Sequence, residues 1–186
     1  MGNRALEFEM RLEGKSYQEI MAAGGGIVNT VRITRDASLE ELVAAARPRA
    51  EEMLRYGTTT AEAKTGYGLT QASELLQLQA ILKLDKECAL ELVPTYLAAH
   101  AIPKEYTHDP QAYTNLVVEQ MLPGVLTWWQ RNARNHPLPF VDVFCEVGAF
   151  TLEQSNQILV KAKELGFPLK IHADEFENLG GTRMAA

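Results

Sequence analysis

Leu169-Lys170-Ile171-His172-Ala173-Asp174-Glu175 is the stretch that decides the fold, because a short apolar segment ends abruptly in an imidazole and two carboxylates. Enzymes built from parallel β/α units keep their catalytic groups at the carboxyl ends of their strands. We therefore predict a strand over residues 167–171 that delivers His172 and Glu175 to such an edge.

Three further apolar segments run into polar groups in the same way. The predicted strands cover residues 58–63, before Lys64 and Tyr67, residues 90–99, before His100, and residues 140–145, before Glu146. Predicted helices separate the strands, and this alternation is typical of parallel β/α units. The helices are expected over residues 38–57, where Pro48 could split the helix, from about residue 70, over residues 113–133 with a kink or break at Pro123-Gly124, and over residues 151–165.

This alternation leaves two architectures, an open doubly wound sheet and a closed barrel. A (β/α)8 barrel typically needs about 250 residues, whereas this chain has 186 residues and shows about four strands. We expect an α/β fold that is part of a (β/α)8 TIM barrel, in one partial domain over residues 1–186. Residues 1–35 are predicted to form an active-site loop and helix segment, with a short helix at residues 16–22 and a turn at Gly24-Gly25-Gly26, and residues 36–186 are predicted to form the β/α units.

Composition argues against several classes of function. The net charge of −6 and the pI near 5.3 disfavour nucleic-acid binding, which requires clustered Lys and Arg side chains. We expect no membrane span, because there is no apolar run of about eighteen residues, and no secretory signal, because the N-terminal segment is polar. Cys88 and Cys145 have no paired spacing, which predicts a reducing compartment, the cytoplasm.

The histidines at the predicted strand ends are the best candidates for chemistry. An imidazole such as His172 is a good ligand for Zn²⁺ or iron when a neighbouring group fixes its tautomer, and Glu175 is placed to transfer protons. A hydrogen-bonded structural histidine is the alternative. For His100 the spacing leaves metal ligand, substrate contact and structural residue equally open. His108 and His136 lie in turn-like surroundings and are predicted to be solvated loop residues.

Separated motifs along the whole chain, taken together, carry a family resemblance. They begin at Asn3 (Asn-Arg-Ala-Leu-Glu-Phe-Glu), Gly14 (Gly-Lys-Ser-Tyr-Gln-Glu-Ile), Gly24 (Gly-Gly-Gly-Ile-Val-Asn-Thr-Val), Gly57 (Gly-Thr-Thr-Thr-Ala-Glu-Ala-Lys-Thr-Gly-Tyr-Gly-Leu), Leu97 (Leu-Ala-Ala-His-Ala-Ile-Pro), Asp142 (Asp-Val-Phe-Cys-Glu) and Ile171 (Ile-His-Ala-Asp-Glu). In this order they resemble the motifs of the imidazolonepropionases, which are metal-dependent amidohydrolases of histidine degradation. The β/α barrel that this resemblance implies agrees with the predicted alternation of helices and strands.

The resemblance implies a reaction and the residues that carry it. Imidazolonepropionases open the ring of 4-imidazolone-5-propanoate with water, at one Zn or Fe ion, and the product is N-formimidoyl-L-glutamate. On this resemblance His172 is a metal ligand, and Glu175 contacts the substrate and assists the attacking water. A guanidinium can bind a propanoate tail, a phenol can hydrogen-bond to polar groups, and an imidazole can polarise the ring carbonyl. The residues that match these substrate contacts are Arg4, Tyr67 and His100. The resemblance also leads us to expect Tyr17 to face the pocket.

The chain departs from the family pattern at both ends. The family's His-x-His metal pair lies upstream of the residues that resemble Asn3-Arg4, and its metal-binding aspartate and last three strands lie beyond Ala186. We therefore expect weak metal retention, little or no turnover of the small-molecule substrate by this chain alone, and a homo-oligomer that covers exposed strand edges. The alternatives left open are another cyclic amidohydrolase or a deaminase, and an inert α/β module that binds a small anion.

Overall fold

The computed structural model describes residues 5–15, 19 and 26–186. Its centre is a four-stranded parallel sheet whose strands follow chain order, namely β1 (Thr60–Lys64), β2 (Glu91–Ala99), β3 (Phe140–Cys145) and β4 (His172–Ala173). The sheet curls into a half-barrel, since Lys170 before β4 reaches across to Glu62 on β1, with Nζ 2.6 Å from Oε1. This architecture is the one expected for part of a β/α barrel, and the predicted fold class is confirmed.

Helices precede β1, connect successive strands and follow β4. They are α1 (Ala5–Leu12), α2 (Gly26–Asp36), α3 (Leu39–Arg55), α4 (Gln71–Glu87), α5 (Pro110–Leu116), α6 (Leu122–Asn132), α7 (Leu152–Glu164) and α8 (Gly181–Ala185). A 3₁₀ turn (Lys104–Tyr106) precedes α5, and a π-helical segment (Val117–Met121) joins α5 to α6. Within the described ranges, no helix is both long enough and apolar enough to cross a membrane.

Capping boxes begin two of the predicted helices. Ser38 Oγ accepts a hydrogen bond from Glu41 N at 3.2 Å, and Glu41 Oε2 accepts one from Ser38 N at 2.8 Å. Thr151 and Gln154 make the same reciprocal pair at the start of α7. Each box satisfies backbone donors that a helix start leaves without intrahelical acceptors. The predicted starts of α3 and α7 are confirmed.

The main hydrophobic core joins the sheet to the helices that follow β2 and β3. Val141 and Val143 of β3 belong to the same buried cluster as Ile158 and Ala162 of α7. The two α7 residues are four positions apart and so share one face of the helix. The largest buried side chains of this cluster are Trp129, Tyr96, Tyr113 and Phe150. A smaller cluster connects α3 and α4 to the start of β2 through Val43, Ala50, Leu84 and Leu90.

The helix predicted over residues 113–133 is longer and less regular than expected. It begins at Pro110, where Asp109 Oδ1 accepts from Ala112 N at 3.0 Å, and it continues through the π-helical segment into α6. The irregular turn lies just before Pro123, which has no N–H to donate and sits in the first turn of α6. The chain is therefore irregular ahead of Pro123-Gly124 but does not break there. Likewise, α3 runs through Pro48 without being split.

The bounds of the strand predicted over residues 167–171 are wrong. β4 covers only His172–Ala173, and the segment before it pairs with β3 through a bridge between Leu169 and Val141. Val141 N donates to Pro168 O and Lys170 N donates to Val141 O, each at 2.8 Å, so this segment still follows β3. Pro168 has no N–H, and this limits the ladder on its side. β1 also starts later than predicted, at Thr60.

The N-terminal segment contains two helices that the sequence pattern did not predict. One is α1, and the other is α2, which begins at Gly26 within the glycine run that was predicted to be a turn. β-branched residues, which have low helix propensity, are frequent in α2, so local preference does not reveal this helix. Gly24 and Gly25 lie outside the described residues, as does the predicted helix at residues 16–22 except for Glu19.

Replacing Ile158 by alanine should lower the free energy of unfolding by about 2–5 kcal/mol, because the side chain is fully buried in the main core. Val160→Ala is the matched control in the same helix. Val160 is 47% exposed, so its replacement should change stability by only about 0.5 kcal/mol. Urea unfolding followed by circular dichroism measures both variants. Equal losses would contradict the assignment of the buried face of α7.

Candidate active site

Four rings stand in a row along the carboxyl ends of the strands. Tyr67 and His100 meet edge to face with ring centroids 5.1 Å apart. Phe144 makes an edge contact with His100 on one side and with His172 on the other, each at 6.0 Å between centroids. Since the row follows the strand order, Phe144 separates two imidazoles on a common rim. The structure thus brings together Tyr67, His100 and His172, which the sequence analysis assigned to one site.

A buried carboxylate lies beside His172. Asp142 on β3 is 1% exposed, and its Oδ2 lies 2.9 Å from His172 Nδ1 and 2.9 Å from Lys64 Nζ. The contact with His172 is short but poorly aligned as a hydrogen bond. Burial would raise the pKa of Asp142, but His172 and Lys64 hold it below its ordinary value. In return, Asp142 raises the pKa of His172.

Glu62 on β1 contacts two lysines inside the half-barrel. Its Oε1 lies 2.6 Å from Lys64 Nζ, from Lys170 Nζ and from Thr95 Oγ1. Burial opposes ionisation, but these donors bring the pKa of Glu62 down to about 2. Lys64 contacts both Glu62 and Asp142, so one polar network ties together residues from all sides of the curled sheet. This inner-face network consists of Glu62, Lys64, Thr95, Asp142, Lys170 and His172.

His100 is held in one orientation by the loop after β1. Its Nδ1 lies 3.0 Å from Gly66 O, so in the neutral ring Nδ1–H donates and Nε2 carries a lone pair. Burial lowers the pKa of His100, which favours the neutral form. Gly66 has a φ of +99°, and a Cβ at this position would lie 2.7 Å from Leu97 O. Only glycine suits both the backbone conformation and the close approach.

Glu175 lies in the loop after β4, with its side chain exposed. Its carboxylate is close enough to His172 to contribute to the raised pKa of that imidazole. The preceding residue, Asp174, has a left-handed backbone with φ of +56°, which aspartate tolerates better than most residues. The Asp174 carboxylate accepts from Leu179 N and from Thr182 N, each at 3.1 Å. The loop that carries Glu175 therefore has a defined shape.

A cavity of about 390 Å³ opens next to the rim, between α2 and residues 101–105. Its lining combines apolar side chains with Arg32, Arg35 and Lys104. Arg35 is already engaged, since its Nε donates to Gly68 O at 2.6 Å and its Nη1 pairs with Glu105 at 2.6 Å. The cavity borders the segments that carry Tyr67 and His100, and the row of rings does not line it.

The remaining predicted residues fall into two groups. Arg4 and Tyr17 lie outside the described residues. His108 and His136 are exposed in loops, as predicted. Across the described ranges, no three His, Cys, Asp or Glu side chains are grouped so that they could hold a metal ion. The described residues therefore do not complete a metal site around His172.

The sequence analysis missed the charged residues inside the half-barrel. Glu62, Asp142 and Lys170 each lie two positions before a residue that also faces inward, namely Lys64, Phe144 and His172. Alternate residues of a strand face the same side of a sheet. A polar residue two positions before a strand end was therefore the available signal. Two further acidic residues, Glu74 and Glu146, hold rim loops through backbone N–H groups.

Known proteins match the chain from end to end. It is 55% identical over 184 residues to the imidazolonepropionase of Herpetosiphon aurantiacus, covering 99% of this chain and 43% of that protein. The chain is similar to imidazolonepropionases over its whole length. The imidazolonepropionase of Chloroflexus aggregans is 56% identical over 187 residues, with 99% of this chain and 44% of that protein covered. The imidazolonepropionase of Clostridium tetani is 46% identical over 185 residues, with 100% and 42% covered.

These values confirm the resemblance found in the motifs. The chain spans less than half the length of the curated imidazolonepropionases that it matches. No family model matches it.

Acid should destabilise the fold through Glu62. Its folded-state pKa of about 2 lies below its ordinary value of 4.5, so the ionised carboxylate stabilises the folded state above pH 4.5, and this contribution is lost as the pH falls towards 2. Glu62→Gln should therefore flatten the fall in the free energy of unfolding over this range. Urea unfolding at several pH values measures the slope, with Glu51→Gln on the exposed side of α3 as control. The same acid slope in the Glu62→Gln variant and the wild type would contradict this role.

Proposed function

We propose that this chain forms part of an imidazolonepropionase, which opens the ring of 4-imidazolone-5-propanoate with water and yields N-formimidoyl-L-glutamate. The observation that carries the proposal is the rim, where Tyr67, His100 and His172 are neighbours. The similarity to imidazolonepropionases supports it, because the 55% and 56% identity extends across this rim. Two free cysteines, Cys88 and Cys145, fit a location in the cytoplasm.

His172 is proposed to be one ligand of a metal ion, zinc or iron. A metal-binding imidazole usually donates its second ring N–H to a carboxylate, which fixes the tautomer. Asp142 Oδ2 is the carboxylate oxygen 2.9 Å from His172 Nδ1. Aligned as a hydrogen bond, this pair would leave Nε2 as the ligand atom. The metal would activate a water molecule for attack on the substrate ring. The other ligands would come from outside the described residues.

Glu175 is the proposed proton carrier. Its carboxylate would accept the proton of the attacking water and return it to the ring nitrogen that leaves when the C–N bond breaks. The Glu175 side chain is exposed and is close enough to influence His172 electrostatically. Both observations support the proposal that Glu175 and His172 act on the same substrate molecule. The hydrogen bonds of Asp174 stabilise the shape of the loop that carries Glu175.

His100 is proposed to accept a hydrogen bond from the substrate ring. The resemblance implied a different role, in which this imidazole polarises the ring carbonyl. Polarising the ring carbonyl requires a donor, but Nδ1–H is already used by Gly66 O. In the neutral form that burial favours, Nε2 can only accept, and it therefore suits a ring N–H of the imidazolone. Tyr67 would hydrogen-bond to polar groups of the ring, and Arg4 would bind the propanoate carboxylate.

Ring opening by the protein, expressed at the length its gene encodes, tests the proposal. Wild-type protein should convert 4-imidazolone-5-propanoate to N-formimidoyl-L-glutamate, followed by NMR, and should contain about one metal ion per active site by atomic spectroscopy. His172→Ala should lose both the activity and the metal. His136→Ala is the matched control, because this exposed histidine precedes β3 and so lies at the opposite end of the strand. It should keep both properties.

Three other outcomes would contradict the proposal. Release of ammonia from a cyclic substrate that carries an exocyclic amino group, with no opening of 4-imidazolone-5-propanoate, would indicate a deaminase. Equal turnover of cyclic amides that lack the propanoate group would indicate another amidohydrolase. Binding of the substrate without turnover would indicate an anion-binding module.

A further inference from the structure

Two buried carboxylates outside the proposed reacting groups hold loops at the rim. Glu74 on α4 holds the loop after β1, residues 65–69, and Glu146 holds the loop after β4, residues 174–179. Glu74 is fully buried and Glu146 is 2% exposed. An ionised carboxylate only accepts hydrogen bonds, and its burial is costly unless donors surround it. The donors here are chiefly backbone N–H groups of the two loops.

Glu74 fixes the backbone on both sides of Tyr67. Its Oε2 accepts from Gly66 N at 2.8 Å, and its Oε1 accepts from Gly68 N at 2.8 Å and from Leu69 N at 2.7 Å. Both oxygens are therefore occupied by the loop. The position of the Tyr67 backbone follows from these three bonds.

Glu146 fixes the backbone at Glu175. Its Oε2 accepts from Glu175 N at 3.1 Å, from Phe176 N at 2.9 Å and from Glu177 N at 3.4 Å. Its Oε1 accepts from Val147 N at 2.9 Å. Led by Phe176 N, these donors hold the pKa of Glu146 below its ordinary value. Successive N–H groups that converge on one oxygen form a nest for an anion.

The chemistry of these contacts makes glutamine an informative replacement. Glutamine has nearly the same size as glutamate but offers one oxygen and one NH2 group. In Glu74 and in Glu146, both carboxylate oxygens accept from backbone N–H groups. Whichever way the glutamine amide is oriented, its NH2 group therefore faces at least one of those donors. The remaining oxygen can still accept, so we expect each loop to shift while the core stays folded.

We propose that Glu74 and Glu146 are positioning residues for the ring-opening reaction, Glu74 by placing Tyr67 against the substrate and Glu146 by placing Glu175 against the reacting bond. This inference rests on the proposed function. Both carboxylates hold a rim loop, but the Glu74 loop carries a substrate-binding residue and the Glu146 loop carries the proposed proton carrier. Displacement of a contact used for binding raises KM, whereas displacement of the proton carrier lowers kcat.

The expected effects are therefore split between the two variants. Glu146→Gln should lower kcat by up to about 100-fold with little change in KM, because a displacement of about 1 Å has this effect on a reacting group. Glu74→Gln should raise KM by about 10-fold with a smaller change in kcat. If the two carboxylates only stabilised the fold, we would not expect one variant to change mainly kcat and the other mainly KM.

The experiment uses the full-length protein with 4-imidazolone-5-propanoate as substrate. Asp85→Asn is the matched control, because Asp85 Oδ1 also accepts from a backbone N–H, that of Leu92, at 2.7 Å near the start of β2 and away from the rim. This variant should keep both kinetic constants. Amide hydrogen exchange provides a second readout. Exchange should accelerate at residues 175–177 in Glu146→Gln and at residues 66, 68 and 69 in Glu74→Gln.

The outcomes separate this proposal from the function on which it rests. A wild-type protein that does not open the ring overturns the proposed function. Ring opening by the wild type, with kcat and KM changed alike in both glutamine variants or with kinetic losses as large in Asp85→Asn, overturns the positioning roles alone. Unchanged amide exchange in both loops would also overturn them.

Discussion

The contact of Asp142 with Lys64 and His172 is the interaction on which the rest of the structure depends. It joins β1, β3 and β4 at a single buried carboxylate oxygen. A buried carboxylate without partners is strongly unfavourable, so the sheet must curl far enough to bring the Lys64 ammonium and the His172 imidazole to it. Lys170, just before β4, makes a second ion pair across the curled sheet, with the partly exposed Glu62 on β1. The curvature that closes the half-barrel and the placement of His172 therefore have a common physical cause.

Much of this arrangement could be predicted from local sequence. The apolar run before His100 predicts its strand end, and the run before His172 predicts a strand although not its bounds. Ser38 with Glu41 predicts a helix start. Each of these signals involves residues close together in the chain. The inner-face network could not be predicted in this way. Lys170 and Glu62 are 108 positions apart, and their contact exists only after the sheet has curled. α2 was missed because tertiary packing outweighs its low helix propensity.

The spacing of residues in the sequence was not enough to assign the functional role of each site residue. For His100 the sequence pattern left three interpretations open, and the motifs favoured a substrate contact. The structure adds the hydrogen bond with Gly66 O, which leaves Nε2 to accept a hydrogen bond in the neutral ring. Below the rim, side chains of opposite charge contact one another, whereas at the rim, carboxylates contact the backbone of loops. The ion pairs below the rim stabilise the strands as a rigid framework, and the carboxylates at the rim stabilise the shapes of the loops that this framework carries.

The phenyl ring of Phe144 has a consequence for the way the two histidines ionise. It has no exchangeable proton, so it cannot pass a proton between the two imidazoles that it contacts, and each imidazole exchanges its proton through other neighbours. Burial favours the uncharged state of His100, while Asp142 favours the charged state of His172. Two identical functional groups on the same edge thus have opposite acid–base preferences, set by burial at His100 and by Asp142 at His172.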